Sequence, residues 1–267
     1  MTPAALFEPA GAGFLAASLT RGPWDEHMMH GGAPAALLAH TIEQTEPGAA
    51  RFAVAKLTVE LLGGVPVGPV EVATWMSRSN THSQVIGATL KVDGPSRSLT
   101  VGCGHAVRLL PPAMPEPASL PPWLRDAFPP PESGRPWSEF ARGDELFYPG
   151  ATEIRVVRAA TASEHAIAWI RLRGELLPGV APSPLVRACA AADFSNGLTS
   201  MRPLERCLFV DSTLTVYLRR EPQGEWIGVD AQTVSHAGGG GLTTATLHDQ
   251  QGRFGRCEQL LVVRPPP

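Results

Sequence analysis

Three groups in this sequence have the residue types and the setting to do chemistry: a carboxylate in an apolar run, an amide in an apolar stripe, and a histidine followed by two glycines. Asp193 ends "LVRACAAAD", where every residue but Arg187 is small or apolar. An unpaired carboxylate there is costly and tends to neutralise, so something must offset the cost. One solution is a general base, a carboxylate placed to take a proton from an attacking water; the other is a bond to a local amide or to an arginine such as Arg187 or Arg202. Gln259 shares a stripe with Cys257, Leu261 and Val263. Its amide can accept from a water and donate to a carbonyl, or it can be a sheet amide satisfied by backbone. In "HMMHGGAPAALLAHTIE", from His27 to Glu43, the glycines Gly31 and Gly32 stand at a helix start. Their amides and the helix dipole suit a developing oxyanion, or the glycines simply let helix and sheet approach closely. His27 and His30 read as entrance or structural residues rather than bases.

The elements that must hold these groups come as two copies of one pattern. "LTVELLGGVPVGPVEVAT" from Leu57 matches "LTVYLRREPQGEWIGVDAQ" from Leu214, and "ATLKVDG" from Ala88 matches "ATLHDQQG" from Ala245, both at an offset of 157 residues. One helix precedes the first matched strand of each copy: Pro34 to about Thr45, and Pro184 to about Asn196. Ser183 can cap the second helix and Pro184 suits its first turn. A helix that is apolar nearly all round is buried on most sides. Leu208, Val210, Leu214, Val216 and Leu218 alternate with Asp211, Thr213, Thr215 and Tyr217, as in a half-buried antiparallel strand. The expected fold is α+β, with two helix-wrapping antiparallel sheets in one chain that could join edge to edge. Between the copies, residues 110–137 are too rich in proline for a helix or a central strand. They read as a linker packed down by Trp123, Leu124, Phe128 and Trp137, leaving an N-terminal unit 1–109 and a C-terminal unit 138–267.

Composition narrows the partners. Lys and Arg number 22 against 25 Asp and Glu, a formal charge of −3 without a basic run, which argues against nucleic acid and anionic membranes. Cys103, Cys189, Cys207 and Cys257 stand far apart, with no metal spacing, and read as reduced core thiols. No leader-like start and no apolar run of about 20 residues is found, so a cytoplasmic protein is expected.

Taken together, "HGGAPAALLAHTIE", "ACAAADFSNGL", "VDSTLTVYLRREPQGEWIGVDAQT" and "GRCEQLLVVR" resemble the double-hotdog acyl-CoA thioesterases of the acyl-CoA thioesterase II type. The resemblance covers most of the chain. It implies hydrolysis of acyl-CoA to a carboxylic acid and CoA, with no metal, cofactor or covalent intermediate, and a homo-oligomer. It also implies a water held by an Asp, a Thr and a Gln. The Asp falls on Asp193 and the Gln on Gln259. The Thr falls on Asp211, a departure, with Thr213 two residues along as the alternative hydroxyl.

Subtracting the repeat offset from Asp193 and Gln259 gives Ala36 and Gly102, so one active site per chain is expected, carried by the second copy. Two other functions compete. A silent acyl-CoA binder would account for the missing Thr, although it has little use for Asp193 and Gln259. A hotdog enoyl-CoA hydratase is suggested by the Asp25-x-x-x-x-His30 spacing, but the intervening "EHMM" lacks that family's Asn-Pro.

Overall fold

In the computed structural model the described residues are 5–47, 51–94, 98–110, 121, 128–138, 143, 145–160, 165–199, 208–236 and 238–264; the side chains at 208–212, 235–236 and 263–264 are not among them. Thirteen strands form one sheet: β1 (Phe7–Ala10), β2 (Gly13–Ala16), β3 (Ala53–Leu61), β4 (Pro69–Ser79), β5 (Ser83–Asp93), β6 (Ser98–Leu109), β7 (Arg135–Pro136), β8 (Thr152–Arg158), β9 (Ala166–Leu172), β10 (Leu208–Leu218), β11 (Trp226–His236), β12 (Gly240–Asp249) and β13 (Gly252–Arg264). Their spatial order is β1-β2-β4-β5-β6-β3-β10-β13-β12-β11-β9-β8-β7. The sequence suggested two sheets that could join edge to edge, and the described strands make one sheet, with β3 paired to β10 over Lys56–Glu60 and Thr213–Tyr217.

The register of that seam explains the duplication. Thr58 stands opposite Thr215, Leu57 opposite Val216 and Val59 opposite Leu214. Thr58 and Thr215 are each other's repeat counterparts, 157 residues apart, and their hydroxyls meet at 3.1 Å. Each copy therefore presents the same strand to the other antiparallel, the self-complementary contact that a two-fold axis imposes.

On the inner face lie α1 (Gly32–Glu43) and α2 (Pro184–Ala192), followed by the short α3 (Ser195–Thr199). As the sequence requires, Ser183 caps α2, accepting from the Val186 N–H at 3.1 Å. Leu37, Leu38 and Ile42 of α1 and Val186, Ala188 and Cys189 of α2 are fully buried. The apolar faces are shared rather than wrapped separately, since α1 and α2 pack on each other as well as on the sheet. The second helix is shorter than its apolar run: it stops at Ala192, and Asp193 is its C-cap.

Part of the proline-rich segment lies outside the described residues, Trp123 and Leu124 included. Its last stretch is bound to the second copy. Phe128 stacks on His248 with ring centroids 4.1 Å apart and sits edge-on to Trp169 at 5.0 Å. The Trp169 Nε1–H donates to the Pro129 carbonyl at 2.7 Å. Of the cysteines, Cys189 and Cys257 are buried thiols, as expected. Cys103 is a correction, for it is only half-buried and its thiol reaches Glu60 Oε2 at 3.3 Å; Cys207 lies outside the described residues.

The end of α1 meets the start of α2 through Glu43, whose Oε2 accepts from the Ser183 hydroxyl at 2.5 Å. Burial pushes the Glu43 carboxyl up to about 7, against the opposing pull of the Ser183 hydrogen bond. The folded protein thus holds this proton more tightly than the unfolded chain, whose glutamates titrate near 4.5. The resulting stability is fully present below pH 4.5 and is lost as pH rises through about 7. Glu43→Gln should therefore flatten the fall in melting temperature across that window; an unchanged slope in thermal melts would contradict the assignment.

Candidate active site

The junction between α2 and α3 is where the sequence's candidates converge. Asp193 is 4% exposed, and its Oδ2 lies 2.9 Å from Nδ1 of His30. His30 immediately precedes the first turn of α1, so the pair forms between the two copies of the repeat, across the antiparallel helices. Gly31 makes the approach possible: a Cβ there would stand 2.7 Å from Asp193 Oδ1. Gly32 is equally constrained, since a Cβ would meet the Phe147 ring at 2.9 Å and the Ala190 carbonyl at 3.0 Å.

The proton on the imidazole can be placed by elimination. Nδ1 is also 3.1 Å from the Gly32 N–H, and one nitrogen cannot accept from that amide while donating to a carboxylate. A buried carboxylate without a donor is the more expensive group to leave unpaired, by several kcal/mol. We assign the hydrogen of a neutral ring to Nδ1, where it is given to Asp193 in place of the Gly32 N–H contact, and the lone pair to Nε2. The Gly32 amide faces this ring edge. The ring itself is packed against Phe147, at 5.0 Å between centroids, and Phe194, at 4.5 Å.

Gln259 is fully buried and ties the junction together. Its Nε2 donates to the Asp193 carbonyl and its Oε1 accepts from the Asn196 N–H, both at 3.1 Å. The amide expected to touch water is thus engaged with the backbone that carries Asp193. It belongs to an inward stripe with Cys257 and Leu261, as its pattern implied, and stands opposite Leu214 and Thr243 in the ladder.

Thr213 is not brought to this point. It pairs with Leu260, which is 49% exposed, and its Oγ1 lies 3.4 Å from the Leu260 N–H, on the face away from Gln259. The Asp211 side chain lies outside the described ones. Its backbone pairs with Leu261, and a bulge between Asp211 and Thr213 breaks the alternation, so the two do not share one uninterrupted strand phase. The hydroxyls that do face inward were missed: buried Thr243 bonds Thr233 at 2.6 Å, and Thr233 in turn meets Thr199. Only the pairing of β12 with β13 reveals them.

Two other expectations change. Asp25 caps its own turn, accepting from the His27 N–H at 2.8 Å, so the partner of His30 is Asp193 and not Asp25. Arg187, a possible partner for Asp193, instead reaches the Pro182 carbonyl at the other end of α2; Arg202 lies outside the described residues. The internal count also shifts. The matched pairings Leu57 with Ala106 and Leu214 with Gln259 put Ala106, not Gly102, opposite Gln259. The first copy thus has Ala106 in the ladder position of Gln259, and the carboxylate at the end of its helix, Glu43, is bound to Ser183.

A cleft opens in front of the imidazole, walled by Trp24, His30, Trp137, Tyr148 and Phe194, with Asn196 at its edge. It is mainly aromatic, as suits an acyl group rather than a polar ligand. Trp137 comes from the proline-rich segment and packs on Tyr148, whose hydroxyl donates to the Trp137 carbonyl. Among the described residues no cluster of three His, Cys, Asp or Glu could hold a metal ion. No helix among them is long and apolar enough to cross a membrane.

Sequence models of two domains match this chain: the acyl-CoA thioesterase N-terminal domain over residues 20–108 and the acyl-CoA thioesterase C-terminal domain over residues 112–263. The chain belongs to the acyl-CoA thioesterase family. No curated protein matches it by sequence. Among solved structures it is similar to a hot dog fold protein from Alicyclobacillus acidocaldarius, with TM-score 0.71, 18% identity, and 98% and 96% of the two chains covered. It also resembles the tesB protein of Mycobacterium avium, with TM-score 0.70, 16% identity, and 97% and 96% covered. An acyl-CoA thioesterase II from Mycobacterium marinum gives TM-score 0.65, 18% identity, and 97% and 96% covered. At these identities the structures establish the hotdog fold of this thioesterase.

Two substitutions test the geometry. Gly31→Ala should push the Asp193 carboxylate off His30, cutting turnover at least about tenfold for a destabilisation on the order of 1–3 kcal/mol. Gln259→Leu leaves the Asn196 amide without its acceptor and should cost about 1–3 kcal/mol in denaturant melts. A Leu variant as stable as the parent would show that the amide does not hold the junction.

Proposed function

We propose that this thioesterase is a double hotdog, with units 1–109 and 138–267 joined by segment 110–137, and that it hydrolyses acyl-CoA at the cleft beside the α2–α3 junction. The carboxylate of Asp193 drives deprotonation of the attacking water. Gln259 acts by fixing the backbone on either side of that carboxylate. The observation that carries this reading is the buried Asp193, held by partners from both copies, directly behind an apolar cleft. A carboxylate in such a place is a liability for stability alone, and it earns retention when its charge is used in a transition state.

Neither Asp211 nor Thr213 is needed for that chemistry. Gly31 and Gly32 serve the close approach of α1 to Asp193 and Phe147. The aromatic walls select the acyl group by shape. Exposed Val234, Leu242 and Leu260 lie side by side across β11, β12 and β13, which supports the self-association implied by the family resemblance.

The test is release of free thiol from acyl-CoAs of graded length. The purified protein should turn over at least one of them, and Asp193→Asn, with its melting behaviour retained, should lose roughly 100-fold or more in kcat. A folded Asn variant with undiminished turnover would remove Asp193 from the reaction.

A further inference from the structure

We infer that the proton leaving the attacking water lands on Nε2 of His30, so that His30 is the catalytic base and Asp193 a positioning residue acting through it. This rests on the reading of the cleft as the hydrolytic site and adds the atom that takes the proton. Three observations carry it. His30 forms part of the cleft wall, while the Asp193 carboxylate lies behind the ring, with Oδ2 on Nδ1 and Oδ1 facing Gly31. Nδ1 lies 2.9 Å from Asp193 Oδ2, so a neutral ring that donates there has its lone pair on Nε2, the tautomer a base requires. The ring is held between Phe147 and Phe194, whose centroids lie 5.0 and 4.5 Å from its own.

The steps balance without any other reactant. A water in the cleft gives one proton to Nε2, and its oxygen forms a bond to the thioester carbon while the carbonyl π pair moves to oxygen. The imidazolium that results is stabilised by the buried carboxylate at 2.9 Å. When the carbonyl re-forms, the C–S bond breaks with its electron pair on sulfur. The proton on Nε2 then passes to that sulfur, releasing CoA thiol and a carboxylic acid and returning the ring to its starting form. The two groups come from opposite copies of the repeat, so neither copy alone holds a complete base.

The decisive variant is His30→Asn. Its amide N–H can take the place of Nδ1–H against Asp193, so the buried carboxylate keeps a donor, but nothing replaces Nε2. With the acyl-CoA that the unmodified protein turns over fastest, kcat should fall at least about 100-fold with KM changed little. In His30→Ala, which leaves a ring-sized space, added imidazole should restore part of the lost turnover. A double variant His30→Ala/Asp193→Asn should be scarcely slower than His30→Ala, as for groups that act as one unit. If His30→Asn keeps turnover within a few-fold while Asp193→Asn is inactive, the inference is overturned and Asp193 contacts the water itself. The same holds if folded His30→Ala is inactive and imidazole restores nothing. Full activity in both single variants would instead sink the assignment of the cleft as the site.

Discussion

The arrangement depends on one ladder, the antiparallel pairing of β3 with β10. Because Thr58 faces its own repeat counterpart, Thr215, the two copies are related by a half-turn. A half-turn sets α1 and α2 antiparallel, with the start of each helix at the end of the other. His30 before α1 therefore meets Asp193 after α2, and Ser183 before α2 meets Glu43 after α1. Both junctions pair a residue before one helix with a residue at the end of the other. A register slip of one residue in the seam would turn its buried side chains outward and separate both pairs together.

The junctions have diverged in opposite directions. At one, the carboxylate is held by an imidazole that faces a cleft, and Gln259 secures the backbone around it. At the other, the carboxyl bonds a capping hydroxyl, and the guanidinium of Arg108 reaches the carbonyls of Ile42 and Thr45 from the strand that corresponds to β13. Helix C-terminal carbonyls must be satisfied at both ends. The amide does so while leaving room beside the carboxylate, whereas the guanidinium fills its corner. In the proposed reading one junction is the site, and the other is a structural lock with a titratable carboxyl.

Asp193 also shows why a buried charge points to function. Burying a carboxylate costs on the order of several kcal/mol unless it is paired, and the pairing described for this one is with the His30 imidazole. A leucine would pack there at lower cost. What the carboxylate adds is a fixed negative charge beside a ring able to become positive, in surroundings poor in water, where such a pair interacts far more strongly than in solvent.

The sequence by itself determined the repeated pattern, the capped second helix, the inward stripe of Gln259 and the two residues, Asp193 and Gln259, that meet at the junction. These are local or periodic properties: alternation, cap chemistry, and the expense of a polar group among apolar neighbours. The partner of Asp193 was not legible, because His30 lies far away in sequence and faces it only through the half-turn at β3 and β10. Spacing suggested Asp25 for His30, but Asp25 is taken up by its own turn. The position of Thr213 was not legible for a related reason, since a bulge after Asp211 changes the strand's phase and bulges leave no reliable mark in composition. The strand offsets of the repeat also differ, so a single subtraction could not find Ala106 in the ladder position of Gln259. Which groups touch was decided by the tertiary structure, because register and helix crossing, rather than residue type, bring distant side chains within hydrogen-bond reach.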